Sequence, residues 1–412
     1  MNAFLPADIL LPQVDSMERW AVIACDQFTS DPAYWARVAE TAGDAPSTLQ
    51  LILPEAELGT EKEAAHIVTI NQTMIDYLNK DLFKVYPNSF IYVERVLHNG
   101  SVRKGLVGMV DLDTYDYSPN ATSAIRATER TVTERIPPRQ RVRRDASIEL
   151  PHILLLCDDN EKVLLEPIEA KKAELPLLYD FELMEGGGRI TGYLVSGEDV
   201  EAFNARLTDY TARCPQKYAD LDGAPLVFAV GDGNHSLATA KSCYEELKTK
   251  NPGQDLSHHP ARYALVELEN IHDEAQNFEP IHRVVVETDP EAMLKALEPW
   301  CAPDGYPIAW FAGEKSGTVY LDRKRSQLEV GVLQQFLDEY LANAAGKIDY
   351  IHGDDDLKNL AKQENAIGFL LPAMAKSQLF RGVVADGVLP RKTFSMGHAR
   401  EKRYYLEGRK IK

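Results

Sequence analysis

Residues Leu226–Lys241 read LVFAVGDGNHSLATAK. The run from Leu226 to Val230 is wholly apolar and short, the pattern of a buried strand. Gly231, Asp232, Gly233, Asn234 and His235 then form a polar turn, and a helical pattern opens at Ser236 and continues to about Lys248. A strand, a two-glycine turn and a helix start together make an anion site. Glycine lets backbone approach a ligand, and the first N–H groups of a helix have no partner inside it. Asp232 and His235 add ionisable groups at the same corner, while Asn234 and Ser236 offer helix caps and hydrogen bonds to an anion. The stretch predicts an α/β protein whose site faces phosphate.

Bulk properties limit what surrounds that corner. The chain has 412 residues, 44% of them hydrophobic and 26% charged, which fits a globular protein of two or three domains or one large elaborated core. Its formal net charge is −18, which argues against a broad nucleic-acid-binding face. No apolar run approaches the ~18–20 residues that cross a bilayer, and the opening MNAFLPADILLPQVDSMERW lacks the pattern of a signal peptide. The five cysteines are scattered without a C-x-x-C pair, so neither zinc nor a disulfide framework is expected. A cytoplasmic enzyme without membrane or nucleic-acid partners is the expectation.

Outward from the central motif, Trp20–Ile23 reads as a strand running into the turn CDQFTSD, which holds Asp26. Asp31-Pro32 opens a helix, and residues 61–80 form a second, with apolar residues at 67, 70, 74 and 78. Residues 89–111 read as a hairpin about Asn99-Gly100. Residues 152–157 and 162–166 suggest another strand pair, and strands follow at 185–195, 262–270 and 282–288. A composition change near 289 divides a core domain, 1–288, from a smaller C-terminal α/β region, 289–412. Asp354-Asp355-Asp356 reads as an acidic helix start rather than a metal site.

Three further segments hold candidate chemistry. RATERTVTERIPPRQRVRRD, residues 126–145, puts seven arginines and Glu129 into an acidic protein. Guanidinium forks suit phosphate oxygens, and Pro137-Pro138 is expected to break any helix there. FEPIHRVVVE, 278–287, places His282 and Arg283 at a strand entrance. LPRKTFSMGHA, 389–399, offers Lys392. The patterns GxxxxGK[ST], HExxH and GxSxG are absent.

In this order the segments resemble the prokaryotic family catalogued as domain of unknown function 1015. Asp232-Gly233-Asn234-His235-Ser236 and Ala240 match its D-G-H-H-R-Y-x-x-A-like motif. Arg126 to Thr131 match an R-H-E-x-T segment, Ile281-His282-Arg283-Val284 a T-H-R segment, and Pro390 to Thr393 a P-x-K-S-T-like segment. More remotely, the D-G-x-H motif before a helix is similar to the phosphate-binding motif of the ParB/sulfiredoxin superfamily, which includes free-serine kinases.

That resemblance implies a ParB/sulfiredoxin-like core with a mixed sheet and a nucleotide-dependent phosphotransferase acting on a small hydroxylated metabolite, serine or phosphoserine first. It implies ATP or ADP and magnesium as cofactors, with Asp232 as catalytic group and metal ligand and His235 stabilising the moving phosphoryl group. Glu129 or Asp26 would act as base. Gly231, Gly233, Asn234, Ser236, Arg130, His282, Arg283 and Lys392 would bind the cofactor. Ser236 stands where the motif carries arginine, and serine cannot form the charged bidentate contact. A non-catalytic nucleotide or metabolite sensor and a phosphoserine-directed hydrolase are the alternatives.

Overall fold

The computed structural model describes residues 2–221 and 223–412 and is a mixed α/β structure. Alternation along the chain builds its main sheet. In the strand Phe83–Val96, Phe90 and Tyr92 enter one apolar core while Ile91 and Val93 enter another, as the period of two requires of a strand buried on both faces. This strand and Val102–Asp111 form the expected hairpin. Among the described residues the sheet has eleven strands. Its central order runs from Phe83–Val96 through Val102–Asp111, Tyr263–Asn270, Leu154–Cys157 and Phe228–Asp232 to Ile125–Ala127. Leu154–Cys157 lies parallel to Tyr263–Asn270, and Phe228–Asp232 parallel to Ile125–Ala127, while the other pairings in this run are antiparallel.

The helices Glu198–Lys217 and Asn234–Lys250 cover one face. They bury Phe203, Leu207 and Tyr210, and Leu237, Ala240 and Tyr244, against it. Burying one such leucine fully contributes about 1.5–3 kcal/mol. The opposite face has two covers. Pro32–Ala42 and Glu63–Asn79 cover one part through Tyr34, Val38, Ile70 and Met74. Next to them, Leu154, Leu156 and Ala229 share a core with a second, wholly antiparallel sheet. Its strand order is Lys315–Leu321, Cys301–Ala312, Ile367–Leu370, His282–Val286 and Lys347–Ile351.

Several local expectations are corrected. The helix Ile136–Arg144 forms across Pro137 and Pro138 because both sit in its first turn, where a missing N–H breaks no intrahelical bond. Residues 162–166 form no strand: Lys162 has φ +57°, and a short helix, Glu166–Glu169, begins there. Met17–Trp20 is a helical turn, leaving only Val22–Ile23 as strand. The chain also does not divide cleanly at 289. The second sheet takes His282–Val286 from before that point. Residues beyond it return to earlier elements: Phe394–Met396 pairs with Phe278–Pro280, Tyr404–Tyr405 with Val22–Ile23, and Arg409–Lys410 with Ile148–Glu149. Pairings over such separations leave no mark in local composition.

Candidate functional site

A cavity of about 960 Å³ opens where the two covers of the sheet meet. One end is apolar, with Leu51, Leu53, Met74, Val142 and Ile148 in its wall. The other holds the Gly231–Ser236 corner, and Asp26, Glu129, His282 and Lys392 of the expected residues also line the cavity.

The corner is built by two glycines. Gly233 has φ +79°, the left-handed region, and serves as N-cap of Asn234–Lys250 with no side-chain cap. A Cβ there would also stand 3.0 Å from the Ile153 Cα, and one at Gly231 would stand 2.6 Å from the Met396 Sδ. The helix thus starts two residues earlier than its pattern suggests. Its first N–H groups line the cavity wall, where an anion is favoured.

Asp232 follows the strand into this corner. Its Oδ1 accepts the Gly233 N–H at 2.9 Å, and its Oδ2 lies 3.1 Å from the Lys402 Nζ. Burial pushes its carboxyl up, but Lys402, His152 and the Gly233 N–H outweigh that and hold it below the ordinary carboxylate range. Asp232 does not fit as a metal ligand, since an ammonium already stands at its outer oxygen. Among the described residues no three His, Cys, Asp or Glu side chains are grouped to hold a metal ion.

His235 differs from expectation. Its Nε2 accepts the Val132 N–H at 3.2 Å, which puts the ring proton on Nδ1. Burial, then Arg139 and Arg135, push its pKa down to about 4. A neutral ring brings no positive charge to a phosphoryl group; it instead fastens the 126–144 segment over the corner. Because the folded pKa lies below the ordinary 6.5, the unfolded chain takes the proton first. His235 therefore contributes stability above pH 6.5 that is lost as pH falls to about 4. His235→Gln, which keeps an acceptor, is expected to lose less melting temperature than the wild type over that range. Parallel pH profiles would show that the ring carries no such burden.

Other expected ligand contacts are structural. Asn234 is buried; its Oδ1 accepts the Thr128 N–H at 3.2 Å, joining two parallel strands. His282 is buried, with Nδ1 accepting the Leu371 N–H and Nε2 on Asp354, both at 3.1 Å. Arg283 is fully buried and donates to the carbonyls of Lys392 and Arg391 at 2.8 and 3.0 Å. It holds the turn that presents Lys392 and does not line the cavity. Arg130 is exposed and also lies outside the cavity wall. Ser236 Oγ lies 3.3 Å from the His152 Nε2.

Sequence reading passed over His152, Tyr405 and Lys402. His152 is buried, 3.8 Å from the Asp26 Oδ2 through Nε2 and 2.9 Å from the Tyr405 hydroxyl through Nδ1. The same hydroxyl donates to the Cys25 Sγ at 3.1 Å. Burial and then Asp26 push the Cys25 thiol up to about 12, so this cysteine is no nucleophile. Within the arginine cluster, Arg135, Arg139 and Arg143 reach the cavity. Four arginines of the helix Ile136–Arg144 pair with Glu55, Glu63, Glu149 and Glu246, on four separate segments.

Residues 7–403 match the family described as "Protein of unknown function (DUF1015)". Solved structures similar to the chain include a conserved hypothetical protein from Pyrococcus furiosus, 13% identical, covering 72% of this chain and 90% of its own, with a TM-score of 0.34. A free serine kinase in complex with AMP is 14% identical over 74% of this chain and 90% of its own, TM-score 0.35. SbnI with C-terminal truncation, from Staphylococcus aureus, is 11% identical over 73% of this chain and 85% of its own, TM-score 0.38. No curated protein matches the chain. Among the described residues no helix is long and apolar enough to cross a membrane.

Proposed function

We propose a function for a chain that belongs to the DUF1015 family: phosphoryl transfer from a nucleotide, ATP or ADP, to the hydroxyl of a small metabolite, with serine the first candidate. The observation that carries this reading is a helix start with no side-chain cap, set with several cations among the carboxylates of one cavity wall. Asn234–Ser236 at the helix start, Lys402, Arg135, Arg139 and Lys392 all line that space. Its apolar end, at Leu51, Leu53 and Met74, suits the body of a nucleoside. Transfer would join the hydroxyl oxygen to phosphorus and break the bond from phosphorus to the nucleotide's oxygen, which keeps the electron pair. The hydroxyl proton would pass to Asp26 or Glu129, both in the cavity wall.

Thermal unfolding against ATP, ADP, CTP, serine and phosphoserine, each with and without magnesium, tests the reading. A nucleotide at a hundred times its Kd adds about 2.7 kcal/mol to stability, and phosphoserine should then form from serine and that nucleotide. A shift with phosphoserine alone would favour the hydrolase. Nucleotide binding without turnover would favour the sensor, and no shift with any nucleotide would sink the reading.

A further inference from the structure

The least expected group in the cavity is Lys402. Its backbone is held by two arginines that the phosphate reading does not use. Arg95 is 2% exposed and Arg103 5%. Arg95 donates through Nη1 to the carbonyls of Glu401 and Lys402 at 3.0 and 2.6 Å, and through Nη2 to that of Arg400 at 2.7 Å. Its Nε and Nη2 also reach the Gly187 carbonyl, at 3.1 and 2.8 Å. Arg103 donates to the Glu401 carbonyl at 2.8 Å. Arg103 also pairs with Glu269, its Nε 3.0 Å from the Oε1, but Arg95 is buried against carbonyls alone, which is unfavourable unless every donor is used. Here the donors fix three consecutive carbonyls, and the next residue, Arg403, is clamped between Glu267 and Glu407.

What this frame presents is one ammonium. The Lys402 side chain is 13% exposed and reaches the cavity wall beside Gly231 and Gly233. An ammonium has three donors. Asp232 is its sole carboxylate within ion-pair distance among the described residues, and the Asp232 Oδ1 is already occupied by the Gly233 N–H. A divalent ion at Asp232 would have to displace this ammonium.

We infer that Lys402 is the resident cation of the site: its ammonium, steadied by Asp232, binds the phosphate oxygens of the ligand where a divalent metal would otherwise stand. The inference rests on the phosphate reading of the corner and adds that no metal is needed there for the anion to bind.

Inorganic pyrophosphate is the probe, measured by calorimetry on the full chain in excess EDTA. Wild-type protein is expected to bind it, and Lys402→Met to bind it about 10- to 100-fold more weakly, the loss of one charge-assisted contact. Lys402→Arg should retain most of the affinity. In the wild type, saturating pyrophosphate should also shield Lys402 from acylation by a small amine-reactive ester, mapped by mass spectrometry. This arm decides the matter if Lys402→Met fails to fold. Binding in the wild type with full affinity in Lys402→Met, or unchanged labelling of Lys402, would overturn the inference and leave the phosphate reading standing. Binding that appears only with magnesium would overturn the inference as well. No binding with or without magnesium would overturn the phosphate reading itself.

Discussion

Arg403→Met is expected to lower the free energy of unfolding by about 3–5 kcal/mol, the range for breaking a buried ion pair from one side. The Arg403 side chain is 4% exposed and lies between two carboxylates that are buried as deeply. Its Nε stands 2.5 Å from the Glu267 Oε2 and its Nη2 2.6 Å from the Glu407 Oε2. The second Glu407 oxygen accepts the Tyr179 hydroxyl at 2.5 Å. Room for Glu267 is made by Gly105, where a Cβ would stand 2.1 Å from the carboxylate. Methionine fills much of the arginine's volume but leaves both carboxylates without a counter-charge, and the chain must desolvate them or take up protons. Urea denaturation reads the effect as a lower midpoint at similar slope. A loss under about 1 kcal/mol, the value of a surface pair, would mean that water reaches the cluster.

Asp26→Asn is expected to lower kcat of the proposed transfer by about 10²- to 10⁴-fold, the usual contribution of a general base, with nucleotide binding kept. The two candidate bases, Asp26 and Glu129, differ in their surroundings. Glu129 uses its Oε1 to accept the Lys392 N–H at 3.2 Å, and its backbone bridges Leu389, so it ties the C-terminal turn to the arginine segment. Asp26 instead lies beside His152, whose Nε2 stands between the Asp26 Oδ2 at 3.8 Å and the Ser236 Oγ at 3.3 Å. This puts Asp26 next to the helix start where the phosphoryl group would rest. Glu129→Gln retains an acceptor for Lys392 and should cost less than tenfold, on the order of one weakened contact. Steady-state kinetics on both variants decide the matter, and the reverse order of effects would assign the base to Glu129.

The parts of this protein that were legible in its sequence are those where neighbours in the chain are also neighbours in space. Asn99-Gly100 between two apolar runs marks the hairpin, and Gly231–His235 marks the strand-to-helix corner. Pro137-Pro138 misled because the same residue that breaks a helix interior begins one well; only the pairing of Arg139, Arg141 and Arg144 with three distant glutamates, and of Arg143 with Glu149, shows that a helix is held there. The apolar stretch at 162–166 misled for a related reason. Leu164 and Leu165 are buried, but no strand lies alongside to give them a ladder. Asn234, His282 and Arg283 carry the residue types of a ligand site, yet the structure uses their polar atoms on Thr128, Leu371, Asp354 and the carbonyls at 391–392. Lys402 carried no local signal. EKRYY looks like any charged surface stretch until Arg95 and Arg103, about three hundred residues earlier in the chain, are seen gripping it.

That grip bears on how the protein can be divided. Arg95 meets Glu401 across 306 positions of sequence, and Met396, Lys402 and Tyr405 complete a cavity whose helix start lies at 233–236. A cut near 289 would separate the anion corner from its cation and take from Arg95 and Arg103 the carbonyls at 400–402 that they hold. The smallest heritable unit that carries this site is therefore most of the chain. Recombination could graft new surface onto it but could not pass the site on in halves, so variation in ligand would have to arise by substitution inside the cavity rather than by exchange of modules.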